Sequence, residues 1–230
     1  MPLHALIFDV DGTLAETEEL HREAFNQTFN EFDLAWHWNQ ERYHTLLKIT
    51  GGKERMLAHA ASLGIDDFDP LPLHKRKTTL YNEMLAQGAI SLRPGVEALI
   101  RKAKEKDLRL AIATTTSREN VETLIRVTLG GDPHHWFEAI STGEDVAIKK
   151  PDPEVYQVAL SRLELTARDA IAFEDTKNGV LAARGAGLDV IVTPSLYSAG
   201  EDFSGALAII ETLEAHNLSA LDFLSARLGI

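Results

Sequence analysis

The chain has 230 residues, 44% of them apolar and 25% charged, and no cysteine. That composition supports a sizeable core and excludes disulfides, thiol nucleophiles and zinc–thiolate centres. The net charge of −12 argues against nucleic acid as a partner and requires any anionic ligand to be drawn in by a local cationic site.

The first element is a strand, "HALIFDVDGTLAETEELH" (4–21), whose apolar run ends in Asp9 and Asp11, then Gly12 and Thr13. Met1–Pro2 lead straight into it with no leader pattern, and no apolar run approaches the ~20 residues of a membrane span. The lack of cysteine fits a reducing compartment, and the expected setting is a cytoplasm. Residues 16–90 are helical in pattern, are interrupted by "DDFDPLPLH" (66–74), and contain Trp36 and Trp38, expected to pack inside this block. Beyond residue 90, short apolar runs at 108–117, 135–142, 169–176 and 188–195 alternate with helical patterns at 95–106, 118–128, 153–163 and 177–186. Nearly continuous apolar strands are buried on both faces, and their alternation with helices predicts a parallel sheet. The expected fold is therefore α/β: a Rossmann-like parallel-sheet core (1–15 and 91–230) with an α-helical cap (16–90) inserted after the first strand.

Residues at i and i+2 of a strand share a face. Asp9 and Asp11 are thus expected side by side at the C-terminal edge of the sheet, where open parallel sheets bind ligands. Two carboxylates so placed drive one pKa up unless a cation intervenes, which suits chemistry needing one ionised and one protonated group. The other strand ends deliver Thr114, Thr115 and Thr116, then Glu174 and Asp175, and "KKPDPEVY" adds Lys149 and Lys150. Carboxylates from two strands make a hard oxygen site suited to Mg²⁺. A lysine with hydroxyls makes an anion site. Cation, anion site and carboxylate nucleophile together describe phosphoryl transfer. Glu174–Asp175 also suit a helix N-cap, and Asp9 and Asp11 do not fit a calcium loop, because Gly12 follows too soon.

"DVDGT", a strand ending in Thr114, "KPDP" and "FEDT", in this order, resemble the haloacid dehalogenase-like phosphohydrolases, and the helical insert looks like their C1 cap. "DGTLAETEELH", "TGGKER", "RPGVEALI" and "ATTTS" resemble the CbbY and β-phosphoglucomutase-like branch. The resemblance implies Asp9 as nucleophile and Asp11 as general acid/base. It implies Thr114, Thr115 and Lys150 as phosphate holders, with Lys149 adjacent. Mg²⁺ would be held by Asp9, Glu174, Asp175 and the backbone carbonyl of Asp11. It further implies a small sugar phosphate substrate, xylulose-1,5-bisphosphate foremost, an indirect link to Rubisco, and a monomer. Glu16 stands where the mutases usually have Asp, and His21 where they place a cap histidine.

A bisphosphate needs cations from the cap. The candidates are Arg42, Lys53 and Arg55 of "GGKER", and Arg76 and Lys77 of "HKRK", with Glu16, Glu18, His21 and Tyr43 near the hinge for hydroxyls. A sugar phosphomutase and a non-catalytic phosphosugar-binding regulator are the alternatives. Asp11 argues against a 2-haloacid dehalogenase, which lacks that acid.

Overall fold

A computed structural model describes residues 3–88 and 90–214. In chain order it contains β1 (Ala5–Phe8), α1 (Glu18–Glu31), α2 (Gln40–Leu46), α3 (Gly52–Ser62), α4 (Leu71–Ala86) and α5 (Val96–Glu105). Then follow β2 (Arg109–Ala113), α6 (Arg118–Thr128), the single turn α7 (Pro133–Trp136), β3 (Ala139–Ser141) and α8 (Glu154–Arg162). The described part closes with β4 (Ala170–Glu174), α9 (Lys177–Gly185), β5 (Asp189–Val192) and β6 (Ala208–Ile209).

The six strands are parallel and ordered β3-β2-β1-β4-β5-β6. The alternation of β1 divides the core. Leu6 and Phe8 face one apolar cluster with α5 and α6; Ala5 and Ile7 face another with α8 and α9. This explains the absence of polar residues in β1, since each face meets a helix layer. The chain turns outward in both directions from β1, so the C-terminal end of that strand is the topological switch point. The region expected as a strand at 135–142 is shorter than its apolar run suggested. Asp132 caps a helical turn over Pro133–Trp136, and pairing with β2 begins at Ala139. The two-residue β6 was not anticipated.

Helices α1–α4 form the insert between β1 and the rest of the sheet. They surround their own apolar cluster of Phe25, Phe29, Trp36, Trp38, Tyr43 and Met56, where Trp38 packs on Phe25 and Phe29 at centroid separations of 4.7 and 4.8 Å. The two crossings between insert and sheet lie together. The Arg93 backbone N–H donates to the Leu14 carbonyl at 2.8 Å, and the Arg93 guanidinium pairs with Glu16 at 3.2 Å. No helix among the described residues is long and apolar enough to cross a membrane. The expected core also included residues 215–230, which lie outside the described residues.

Candidate active site

Strand register assembles the site. Phe8 pairs with Ile112 on one side and Phe173 on the other, and the Phe8 and Phe173 rings stack at 4.8 Å. The next residues along these strands are therefore neighbours: Asp9, Ala113–Thr114 and Glu174–Asp175. The Asp9 N–H continues the ladder to the Phe173 carbonyl at 3.0 Å. Strand β1 stops at Phe8, and Gly12, at φ 81°, turns the chain away. A side chain there would be strained and its Cβ would overlap the Asp175 carboxylate.

Because the strand has ended, Asp9 and Asp11 do not form the facing pair that i, i+2 spacing implied. The Asp9 carboxylate accepts from Lys150 Nζ at 2.6 Å and Thr13 Oγ1 at 3.2 Å. Asp11 turns toward the insert, accepting from Thr17 Oγ1 at 2.5 Å with His21 Nε2 at 3.1 Å. Their ionisation separates accordingly. Burial, helped by the nearby Glu174 and Asp11 charges and opposed by Lys150, pushes Asp9 up to about 7. Burial would also raise Asp11, but the charges of His21 and Lys77 and the bonds from His21 and Thr17 outweigh it and bring Asp11 down to about 2.

Lys150 is buried and fully engaged. Its ammonium meets Asp9 Oδ1 and Glu174 Oε1, each at 2.6 Å, and donates to the Ala113 carbonyl at 2.9 Å. Burial works against its charge, yet the two carboxylates raise its pKa. Glu174 is also held by Tyr156 Oη at 2.6 Å and lies on the backbone of Gly179 in α9, where a Cβ would overlap its carboxyl group. The N-cap of α9 is Thr176, whose hydroxyl accepts from the Gly179 N–H at 3.1 Å, so Asp175 is free of that role.

Asp9, Glu174 and Asp175 are buried and offer one carboxylate oxygen each within 4.8 Å of one another. Burial and the charges of Asp9 and Glu174 raise Asp175 well above the usual carboxylate range. Three carboxylates against a single ammonium leave excess negative charge in a confined space. This donor set fits a small hard divalent cation. Gly179→Ala tests the fit. Alanine is the better helix former, so the steric push on Glu174 is the dominant effect. The expected result is metal affinity lower by about 10- to 100-fold, read from the Mg²⁺ concentration needed to raise Tm.

A cavity of about 700 Å³ lies between the sheet edge and the insert. Of the residues named from sequence, Asp9, Asp11, Glu18, His21, Lys53, Arg55, Lys77, Thr114, Thr115, Thr116, Lys149, Lys150 and Asp175 line it, while Tyr43 lies behind Glu18 and Arg55, bonded to both. Glu174 lies just behind, bonded to Lys150. Glu16, Arg42 and Arg76 are not brought to it. Glu16 is taken by Arg93 and the Leu196 N–H, Arg42 is exposed on α2, and Arg76 ties α4 to Glu31 of α1 at 2.6 Å. Sequence reasoning missed Thr17, Lys48, His74, Asn120 and Tyr156. His74 is held neutral, its pKa brought to about 3 by burial and by Lys77, Lys53 and Lys149. Its place in "HKRK" was the available signal. Thr17 and Tyr156 gave none, because their contacts arise only when distant segments meet.

The cavity is polarised. The insert contributes Lys48, Lys53, Arg55 and Lys77 with Glu18 as its one acid, whereas the sheet side contributes Asp9, Asp11, Glu144, Asp175, Glu201 and Asp202 against Lys149, Lys150 and Lys177. Lys77 Nζ reaches His21 Nδ1 at 2.5 Å, and His21 continues to Asp11. Burial and Arg55 outweigh Asp11 and Glu18, lowering Lys77 to about 7; burial and Lys77 also lower His21. An ammonium on Lys77 donating to His21 Nδ1 and a neutral His21 donating from Nε2 to an ionised Asp11 form one arrangement of protons consistent with both contacts.

A switch-point cleft holding acids, hydroxyls and a buried lysine beneath a helical insert suits phosphoryl transfer, and the family to which the chain belongs makes it a phosphoric monoester hydrolase. The chain belongs to the haloacid dehalogenase-like hydrolase family, whose model matches residues 6–193, and within it to the CbbY and β-phosphoglucomutase-like branch. It is 52% identical to protein CbbY of Rhodobacter capsulatus, over 96% of this chain and 98% of that protein. The crystal structure of CbbY from Rhodobacter sphaeroides in complex with phosphate superposes with a TM-score of 0.89 at 46% identity, covering 96% of this chain and 99% of that one. A variant of that CbbY, in complex with xylulose-1,5-bisphosphate, gives 0.88 at 44% identity over 93% and 96% of the two chains. The chain is thus a phosphatase of this family.

Proposed function

We propose that this protein is a Mg²⁺-dependent phosphatase that hydrolyses xylulose-1,5-bisphosphate to xylulose 5-phosphate through an aspartyl-phosphate on Asp9. The observation that carries this reading is the polarity of the cavity. The acidic floor with Lys150 suits one phosphate at the reacting centre, and the cationic roof suits a second anionic group at the far end of a small molecule. The complex of the related CbbY with xylulose-1,5-bisphosphate supports the same substrate. That substrate, a misfire product of Rubisco, would tie the protein indirectly to carbon fixation. We take residues 16–90 as the cap and the remainder as the catalytic core.

The Asp9 carboxylate attacks phosphorus, the ester P–O bond breaks, and the departing sugar oxygen takes a proton from Asp11. Asp11 then takes a proton from water, which attacks the aspartyl-phosphate and releases inorganic phosphate with Asp9 restored. Asp9, Glu174, Asp175 and the Asp11 carbonyl would hold Mg²⁺, which when bound supplies charge neutralisation for the phosphoryl oxygens. Lys150, Thr114 and Thr115 hold those oxygens from the protein side. Asp11 is ionised before the first step and must be loaded with a proton. Lys77 supplies it through His21, which accepts at Nδ1 and donates from Nε2, and the proton that Asp11 later takes from water returns to Lys77 by the same path, closing the cycle. All these groups come from one chain, so a monomer suffices.

Lys77→Met is expected to lower kcat by about 10²-fold, within the usual range for losing acid–base assistance. In the unaltered protein kcat should fall as pH rises through about 7, because neutral Lys77 cannot load Asp11. The variant should lose that alkaline limb. A variant that kept it would contradict the relay.

The substrate is tested by comparing kcat/KM for xylulose-1,5-bisphosphate, ribulose-1,5-bisphosphate and β-glucose-1-phosphate, with inorganic phosphate measured. Preference for the first with stoichiometric phosphate release is expected. An isomerised sugar phosphate without release of phosphate would establish a mutase.

A further inference from the structure

The two adjacent lysines before α8 point to different halves of the molecule. Lys150 turns down among the reacting carboxylates. Lys149 reaches up to the insert, where its ammonium holds both Glu54 oxygens, at 2.7 and 2.8 Å. Glu54 lies in the first turn of α3. Between them runs the bend at Gly51, whose φ of 101° favours glycine and where a Cβ would overlap the Glu54 carboxylate and crowd the Lys149 ammonium. On the same bend, Asn178 Nδ2 of α9 donates to Thr50 Oγ1 at 3.1 Å and to the Lys48 carbonyl at 3.3 Å. These contacts join insert and sheet away from the paired crossings at Leu14–Glu16 and Arg93. The bend itself lines the cavity through Lys48, Thr50, Gly51 and Gly52, as does Lys149.

We propose that Lys149 is a positioning residue that clasps the cap shut by its ion pair with Glu54, coupling closure of the cavity to the segment that places Lys150. The pair has the character a reversible clasp requires. Its side chains are 19% and 42% exposed, and ion pairs in such settings shift an equilibrium only severalfold. A bias of that size favours the closed form without trapping product. The inference rests on the reading of the cavity as the reaction site, and its test is independent of which sugar phosphate is used.

The chain has no cysteine, so spin labels on introduced cysteines at the exposed Leu57 of α3 and Leu181 of α9 report the cap–core distance. Double electron–electron resonance on the substrate-free full-length protein should show one short-distance population. Glu54→Lys sets two ammonium groups against each other and should move part of that population to longer distance. It should also lower kcat/KM about fivefold, with kcat changing less. The charge-reversed pair, Glu54→Lys with Lys149→Glu, should restore the short distance and bring kcat/KM back to within about twofold; this recovery would separate a lost clasp from a damaged fold. Unchanged distances in Glu54→Lys, or losses that simply add in the double variant, would overturn the proposal. Shifted distances in a protein inactive on every sugar phosphate would uphold the clasp and remove the substrate reading instead.

Discussion

Asp9→Asn should lower kcat by about 10⁴-fold or more, the scale on which loss of a nucleophile is felt, and should leave the fold in place. Asparagine occupies nearly the same volume, and the amide cannot attack phosphorus. The stability side follows from the charge balance. Burial and Glu174 push the Asp9 carboxyl up to about 7 despite Lys150, so the metal-free site gains little from that charge. Lys150 retains Glu174 and the Ala113 carbonyl when Asp9 becomes neutral. Thermal melting of the metal-free variant should therefore stay within a few degrees of the unaltered protein while phosphate release vanishes. Loss of activity accompanied by collapse of the melting transition would instead assign Asp9 to the scaffold.

Lys150→Met reverses that pattern. It removes the ammonium that sits 2.6 Å from both Asp9 and Glu174 and leaves buried carboxylates without their cation. Breaking a buried ion pair by deleting one partner costs about 3–5 kcal/mol. In a chain of this length that lowers Tm by about 10 °C. The loss should be largest in EDTA and partly recovered by Mg²⁺, because a divalent ion among the same carboxylates replaces the missing charge. Activity should fall even at saturating Mg²⁺, since the phosphoryl oxygens have lost a donor. Equal destabilisation with and without Mg²⁺ would show that Lys150 and the metal act on different groups.

Much of this is legible in the sequence itself. The unbroken apolar character of Ala5–Phe8 demanded a strand covered on both faces, and motif order put acids, hydroxyls and a lysine at strand ends. Limits appeared where local rules stop. The i, i+2 argument for Asp9 and Asp11 holds inside a strand, and the strand ends one residue before Asp9. Arg76 and Lys77 are adjacent, yet successive helical residues point about 100° apart. Arg76 therefore meets Glu31 on the outer face while Lys77 turns in to His21. The hydroxyl on Asp11 from Thr17, the Tyr156 bond to Glu174 and the bridge from Lys149 to Glu54 depend on how separate segments pack. Arg93 shows the same: within "RPGVEALI" nothing local marks its role, whereas in the fold its guanidinium bonds the Gly12, Thr193 and Pro194 carbonyls behind the site.

The most direct test is to quench the Mg²⁺-loaded protein with acid during turnover of xylulose-1,5-bisphosphate and map phosphorylated peptides by mass. One phosphoryl group on the peptide carrying Asp9, absent from Asp9→Asn, is the result this account predicts. Turnover at full rate with no phosphorylated peptide at any quench time, the phosphoryl group passing straight to water, would contradict it.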